Sequence, residues 1–129
     1  MENNKKVLII EDERFLLEMY QMRFKAAGFE VLSATEGKPG IHLAATAKPD
    51  IIVLDIVLPE MSGYEVLRML KKDPDTKDIP VLVFSNLGQE EEIQKGLDLG
   101  ADEYVVKTEI TPSQLVKKIA KMLDQKTEG

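Results

Sequence analysis

Five polar residues that can bind a metal ion or a phosphoryl group stand directly after short apolar runs in the sequence. They are Glu11, Asp12, Asp55, Ser85 and Lys107. Three carboxylates gathered in one place repel one another, and a divalent cation would compensate them. Ligands that are all oxygen, with no histidine or cysteine among them, favour Mg²⁺. The set indicates a nucleophilic carboxylate beside a cation, with a hydroxyl and an ammonium as donors for anionic oxygens.

The elements that must position these residues alternate between strand and helix patterns. The three runs 7–10, 51–54 and 81–84 are apolar at every position, as expected for parallel strands covered by helices on both faces. Weaker strands are centred on Val31-Leu32 and on residues 104–106. Helical patterns fill the intervals at about 15–27, 39–47, 62–70, 90–99 and 111–123.

Five strand-helix units predict an α/β fold with right-handed crossovers. We expect a flavodoxin-like, doubly wound (βα)5 three-layer sandwich with a five-stranded parallel sheet in the order 2-1-3-4-5. In such sheets the site lies at the carboxyl ends of the strands, where the strand order reverses. That point falls between strands one and three, so Glu11, Asp12 and Asp55 are predicted to face one another. Singly, each of the five polar residues could be an ordinary cap, turn or surface residue. Their joint occurrence at strand ends favours a site.

Two local patterns add detail to the helices. Phe15, Met19, Met22 and Ala26 recur at helical spacing, with Leu16, Tyr20 and Ala27 beside them. We expect the methionines of helices one, three and five to lie in or beside the core. Residues 62–65 match a capping box, and residues 111–114 form a second N-terminal cap.

Composition excludes several classes of function. With 129 residues we expect one domain, 1–129, with an ordered core of about 5–124 and frayed ends at 1–4 and 125–129. The chain has no cysteine and one histidine, His42, which argues against thiol chemistry, zinc sites and a Ser/His/Asp triad. A net charge of -6 argues against nucleic acid as a partner. No apolar run is long enough for a membrane span, so we expect a cytoplasmic protein.

The sequence resembles the response-regulator receiver family, the CheY-like superfamily, over nearly its whole length. The segments that carry the resemblance are 7–13, 50–65, 79–85 and 100–107, where spacing and residue types both agree. The resemblance implies that Asp55 accepts a phosphoryl group from a sensor histidine kinase or a histidine phosphotransfer protein. The chain would be a phosphoacceptor that assists its own phosphorylation and dephosphorylation, and not a conventional enzyme.

The resemblance also implies a role for the residues around Asp55. Glu11, Asp12, Asp55 and the backbone carbonyl of Val57 would hold Mg²⁺, while Ser85 and Lys107 would bind the phosphoryl oxygens. On phosphorylation Ser85 would be drawn towards the site and Tyr104 would turn inward. This switch would alter the face formed by helix four, strand five and helix five.

The sequence departs from the family pattern at four positions. Glu11 stands where Asp is more frequent, and Ser85 replaces the commoner Thr. Asn86 occupies a position that is usually small. Thr108 follows Lys107 in place of proline, so we do not expect a cis bond there, since a non-proline cis peptide costs about 2.5–4 kcal/mol. Each departure keeps the chemistry of the site.

Val57 and Leu87 flank the site in the family pattern and are apolar here. Since neither can orient an attacking water, we predict a slow loss of the phosphoryl group.

Other classes fit the sequence less well. A phosphohydrolase of the Asp-x-Asp type needs a second acid where Val57 stands. A flavin carrier would be repelled by the acids 11–13, and no P-loop run is present. The alternative is a non-phosphorylated protein-binding module that keeps the receiver fold, although such a module is expected to lose Asp55 or Lys107.

No output segment follows the last helix, so we expect a stand-alone receiver that acts through its surface or passes the phosphoryl group on in a relay. We also expect a downstream protein target as a partner. We expect a monomer, with the face of helices four and five as a dimer surface if one forms.

Overall fold

The computed structural model describes residues 5–128, with side chains described up to residue 124. The fraying expected at 1–4 and at 129 concerns residues outside this range, whereas the backbone of residues 125–128 continues the last helix. The strands are β1 Lys6–Ile10, β2 Glu30–Ala34, β3 Ile51–Leu54, β4 Val81–Ser85 and β5 Glu103–Val106. The helices are α1 Arg14–Ala26, α2 Gly37–Ala47, α3 Gly63–Lys72, α4 Glu90–Asp98 and α5 Pro112–Glu128, with a 3-10 turn at Lys107–Glu109.

The strands form one parallel sheet in the order β2-β1-β3-β4-β5, which confirms the predicted topology. Ile10 pairs with Leu54 in the register of β1 and β3, so both strands end at the same level. The next backbone amides continue the ladder: Glu11 donates to the Ala34 carbonyl at 3.0 Å, and Asp55 donates to the Ile10 carbonyl at 3.0 Å. Glu11 and Asp55 therefore leave the sheet side by side.

Two apolar layers cover the sheet, one on each face. Val7 and Ile9 of β1 face the layer that contains α1 and α5. Leu8 and Ile10 face the opposite layer, which contains α2 and α3. The alternation follows from the two-residue period of a strand, and it explains why these runs are apolar at every position.

The predicted apolar stripe of α1 is only partly correct, because Met19 packs against the core whereas Phe15 and Met22 do not. The buried residues of this helix are Leu17, Tyr20 and Phe24, whereas Phe15 is 74% exposed and Met22 is 71% exposed. Both stripes have helical spacing, and α1 packs on the sheet through the one with the larger aromatic surface. Met69 of α3 is also exposed, so the helical methionines are not uniformly core residues.

The two predicted caps differ in outcome. The Thr111 hydroxyl accepts from the Gln114 amide at 3.1 Å, and the Gln114 side chain accepts from the Thr111 amide at 2.8 Å, which confirms the cap of α5. At α3 the Ser62 hydroxyl accepts from the Tyr64 amide at 3.1 Å. Glu65 does not complete a capping box, because its carboxylate pairs with Arg68 instead.

None of the helices in the described part of the chain combines the length and apolar character that a bilayer span requires.

Candidate functional site

A cleft of about 220 Å³ lies at the carboxyl ends of β1 and β3, where the sheet order reverses. Residues at the start of α1 line it on one side, and Lys107, the first residue of the turn after β5, lines it as well. The residues that line it are Glu11, Asp12, Glu13, Leu16, Asp55, Val57, Asn86 and Lys107. Five of the residues singled out in the sequence are among them, together with Asn86, which was noted as a departure.

The ammonium of Lys107 joins two acids that are far apart in sequence. Its Nζ lies 2.5 Å from Glu11 Oε1 and 3.0 Å from Asp55 Oδ2. The Lys107 side chain is only 9% exposed, and the two carboxylates are buried as well. Charge-assisted hydrogen bonds in such a shielded place are stronger than on the surface. Lys107 therefore fixes the positions of both acids.

Three of the four acids that line this cleft come together around a single ammonium. One oxygen each of Glu11, Asp12 and Asp55 lies within 4.8 Å of the others. Asp12 is exposed, and no hydrogen bond or ion pair joins its side chain to another described residue. Two of the three negative charges are left uncompensated by Lys107. The donor set is hard oxygen throughout, so these residues fit a Mg²⁺ ion, which would supply the missing positive charge.

Burial and charge act in opposite directions on the groups of this cluster. Burial raises the pKa of Glu11, with a further rise from the charge of Asp55, against the lowering effect of Lys107 and of the Glu13 amide. Burial by itself lowers the pKa of Lys107. The hydrogen bond with Glu11 and the charge of Asp55 outweigh burial, however, and the pKa of Lys107 is raised. The ammonium is therefore charged at neutral pH.

The backbone holds the other oxygen of Asp55. Its Oδ1 accepts from the Ile56 amide at 2.7 Å and from the Val57 amide at 3.4 Å. Behind this turn the Gly63 amide donates to the Ile56 carbonyl at 2.8 Å, and a Cβ on Gly63 would lie 2.2 Å from the Asp55 carbonyl oxygen. Only glycine lets α3 approach this closely. The start of α3 is thereby placed directly against the Asp55 turn.

Neither Ser85 nor Tyr104 is among the residues that line the cleft. Ser85 is fully buried, and its hydroxyl accepts from the Leu87 amide at 3.2 Å. Tyr104 is half-buried, and its hydroxyl donates to the Leu87 carbonyl at 2.6 Å. Burial, reinforced by Tyr64, raises the pKa of Tyr104. Both predicted switch residues thus contact the same segment, the one that connects β4 to α4.

The peptide bond between Lys107 and Thr108 is trans, as expected for a chain without proline at position 108. No peptide bond among the described residues is cis, and the segment after β5 forms the 3-10 turn that begins at Lys107. Two further contacts of the site were not predicted from the sequence. The Glu13 amide donates to Glu11 Oε2 at 3.1 Å, and the Phe84 ring centroid lies 5.9 Å from Lys107 Nζ. A backbone contact and an aromatic neighbour from another strand leave no local signal in a sequence.

Comparisons with known proteins identify the family of this fold. The sequence model of the response regulator receiver domain family matches residues 7–120 of this chain. The transcriptional regulatory protein CusR of Escherichia coli is 44% identical over 102 residues, which are 79% of this chain and 44% of that protein. The probable transcriptional regulator ycf27 of Guillardia theta is 34% identical over 123 residues, 95% of this chain and 47% of that protein. The chain spans about half the length of these curated relatives.

A solved structure is similar along its full length. The receiver domain protein of Methanospirillum hungatei, described as CheY-like, has a TM-score of 0.88 at 27% identity, with 98% of this chain and 100% of that chain covered. Together with the family match over residues 7–120, this establishes the family as well as the fold. The chain belongs to the response regulator receiver domains of two-component signalling, a family of phosphoacceptor modules and not of conventional enzymes.

Proposed function

We propose that this chain accepts a phosphoryl group on Asp55 from a phosphohistidine of a sensor histidine kinase or a histidine phosphotransfer protein. Glu11, Asp12, Asp55 and the Val57 carbonyl hold Mg²⁺ in this reaction, and Ser85 and Lys107 bind the phosphoryl oxygens. The observation that carries the proposal is the ammonium of Lys107 between the carboxylates of Glu11 and Asp55, beside the exposed Asp12.

The chemistry requires positioning and charge neutralisation more than covalent assistance. A carboxylate oxygen of Asp55 attacks phosphorus, the new P–O bond forms, and the bond from phosphorus to the donor's imidazole nitrogen breaks. The leaving imidazole keeps the electron pair. A Mg²⁺ ion held by these residues would neutralise charge on the carboxylates and on the phosphoryl group. The backbone amides on Oδ1 and the ammonium on Oδ2 support this role, because they hold the Asp55 carboxylate in one orientation.

The phosphoryl group then changes the surface of the domain. Ser85 leaves the Leu87 amide to bind a phosphoryl oxygen, Tyr104 follows, and the face of α4, β5 and α5 shifts. The shared contacts of Ser85 and Tyr104 with Leu87 support this coupling, because a change at one hydroxyl alters the segment that the other holds. We further propose that residues 1–129 act as one cytoplasmic receiver domain and that a protein target reads this face.

The test is incubation of the protein with Mg²⁺ and acetyl phosphate, followed by intact-mass analysis. We expect a mass increase of one phosphoryl group that requires Mg²⁺ and is absent in Asp55→Asn. Asp50→Asn is the matched control, because Asp50 is an aspartate at the opposite end of β3 and should not affect the reaction. A folded protein whose mass stays unchanged under all conditions would favour the non-phosphorylated binding module.

The phosphorylated form should persist. Val57 lines the cleft and is 59% exposed, and Leu87 is apolar as well, so neither side chain can orient water. After removal of acetyl phosphate we expect the added mass to decay slowly, and Val57→Gln to shorten its lifetime severalfold. A wild-type half-life of seconds would contradict this prediction.

A further inference from the structure

The ring of Tyr104 packs against the backbone of α4 at a glycine. Gly96 is buried, and a Cβ built on it would lie 2.8 Å from Cδ2 and 3.0 Å from Cε2 of the Tyr104 ring. Because non-bonded carbon atoms normally approach only to about 3.5 Å, either the ring or the helix would have to move. A glycine within a helix also lowers the stability of that helix. Close packing on Tyr104 is a physical reason for its presence here.

The other end of the Tyr104 side chain is bound to the segment that precedes α4. Its hydroxyl donates to the Leu87 carbonyl at 2.6 Å, and the Leu87 amide donates to the Ser85 hydroxyl at 3.2 Å. A displacement of the ring would therefore alter the contacts of a residue that also binds Ser85. Tyr104 thus links the position of α4 to the backbone beside Ser85.

Tyr64 of α3 restricts the movement of α4 away from the Tyr104 ring. The Tyr64 hydroxyl donates to the Glu92 carbonyl at 3.0 Å, one helical turn before Gly96. Lys95 Nζ lies 4.3 Å from the centroid of the Tyr64 ring. A hydrogen bond and a cation–π contact thus hold neighbouring residues of α4. Without this hold, the helix could relieve pressure on the ring by moving outward.

The two tyrosines lie close to one another and connect the Asp55 turn to α4. Burial raises the pKa of both phenols, and each phenol also affects the pKa of the other. Tyr64 directly follows Gly63, whose amide donates to the Ile56 carbonyl beside Asp55. A series of contacts therefore runs from the turn that carries Asp55, through the start of α3, to α4 and Tyr104.

We propose that Gly96 and Tyr64 are positioning residues for Tyr104. Tyr64 holds the first turn of α4, and the absence of a side chain at Gly96 lets the helix rest on the Tyr104 ring, so that neither moves without the other. A change in the Asp55 turn then reaches Tyr104 through α3 and α4 as well as through Ser85. The signalling role of this coupling rests on the proposed function, whereas the coupling itself needs no phosphoryl group.

The test compares Gly96→Ala, Tyr64→Phe and the double variant with the wild type, in buffer without Mg²⁺ or a phosphodonor. NMR measures the Overhauser cross-peaks between the Tyr104 ring and Leu87, and hydrogen exchange measures the stability of α4. We expect Gly96→Ala to lose these cross-peaks, because the added methyl group displaces the ring while Tyr64 holds the helix. In the double variant α4 can yield instead. The cross-peaks should then return, and amide exchange in α4 should exceed that of Gly96→Ala by about fivefold.

Gln94→Ala is the matched control for the change in helix propensity. Gln94 is exposed and its side chain donates to Asp98 of the same helix, so this variant should leave the Tyr104 cross-peaks unchanged. Cross-peaks that persist in Gly96→Ala, or that are lost equally in the double variant, overturn the inference.

Tyr64→Phe provides a second test that keeps the glycine and does not depend on the folding of Gly96→Ala. Its Tyr104 cross-peaks should weaken as α4 loosens, and unchanged cross-peaks beside a loosened α4 would overturn the coupling. Acetyl phosphate and Mg²⁺ then test the signalling role: the response of α4 to phosphorylation should be smaller in Tyr64→Phe than in the wild type. A wild type that is never phosphorylated would contradict the proposed function but not the coupling, which is measured without a phosphodonor.

Discussion

Asp12 is the exposed acid of the cluster, and this sets it apart from the two buried ones. Its side chain has no ion pair with the described residues, so its removal breaks no contact within the protein. We predict that Asp12→Asn lowers Mg²⁺ affinity by at least about tenfold, because one anionic ligand is lost. Stability without Mg²⁺ should change by less than about 0.5 kcal/mol.

The measurement is a Mg²⁺ titration beside urea unfolding in the absence of divalent ions. Asp75→Asn, an exposed acid in the segment between α3 and β4, provides a matched control for the lost charge. Unchanged Mg²⁺ affinity in Asp12→Asn would exclude Asp12 as a ligand.

Glu11 links the stability of the fold to pH. Its pKa in the folded protein is raised above the ordinary 4.5, chiefly because it is buried. A raised pKa means that the folded state binds the proton more tightly than the unfolded chain. The resulting stabilisation is complete below pH 4.5 and is lost as the pH rises through the folded-state pKa. Lys107 titrates at much higher pH and stays charged in this window.

We therefore predict that Glu11→Gln becomes more stable relative to the wild type as the pH rises from about 4 to about 8. Urea unfolding without Mg²⁺ at several pH values measures this difference. Glu18→Gln, an exposed change on α1, controls for the loss of a charge. A difference that stays constant across this range would show that Glu11 has an ordinary pKa in the folded protein.

At the scale of elements, α4 is the helix with the fewest residues buried in the core. Gly96 is the only buried residue of this helix. Two tyrosines bind the backbone at or near its start: the Tyr64 hydroxyl donates to the Glu92 carbonyl at 3.0 Å, and Tyr104 binds the Leu87 carbonyl. Lys95 also lies 4.3 Å from the Tyr64 ring centroid. Since α3 begins against the Asp55 turn, Tyr64 connects that turn to α4 by a path that does not pass through Ser85.

We predict that Tyr64→Phe loosens α4 while leaving the sheet intact. Loss of one hydrogen bond of about 1 kcal/mol should raise amide exchange in α4 by roughly fivefold. Hydrogen exchange resolved by segment measures this, with β1 and β3 as the internal reference and Tyr104→Phe, which removes the neighbouring hydroxyl on Leu87, as the comparison. Equal exchange in α4 of the wild type and of Tyr64→Phe would show that this hydroxyl does not hold the helix.

At the scale of the whole molecule, the cluster ties together segments from the two ends of the chain. Glu11 follows β1, Asp55 follows β3 and Lys107 follows β5, so the site exists only when the sheet is complete. A cation bound there stabilises the folded state as a whole and not one loop. We predict that Mg²⁺ at about 100 times its dissociation constant raises the free energy of unfolding by about 2.7 kcal/mol.

Thermal and urea unfolding with and without Mg²⁺ test this linkage. The shift should follow the logarithm of the Mg²⁺ concentration and be strongly reduced in Asp12→Asn. Ca²⁺-free, Mg²⁺-free buffer with matched ionic strength is the reference, because salt alone screens the charges of an acidic protein. A shift of the same size in both proteins would place the ion elsewhere on the surface.

The fold, and the meeting of the polar residues that follow β1, β3 and β5, could be predicted from the sequence. Strands that are apolar at every position had to be buried on both faces, and their alternation with helices left the parallel sheet as the expected arrangement. The residues that follow β1, β3 and β5 then had to share one edge, because parallel strands end together. Local sequence patterns are sufficient for these two predictions. Each prediction needs only the apolar pattern of neighbouring residues and the general rules by which strands and helices connect.

Which helix faces and side chains contact one another is visible only in the tertiary structure. α1 carries two apolar stripes, and only packing on the sheet selected Leu17, Tyr20 and Phe24 over the stripe with Phe15 and Met22. The contact of Lys107 with Glu11 spans 96 residues, and the joint hold of Ser85 and Tyr104 on Leu87 depends on side-chain orientation. The physical reason is that periodicity specifies a face of an element, whereas the partner of that face is selected by shape and distance in the assembled molecule.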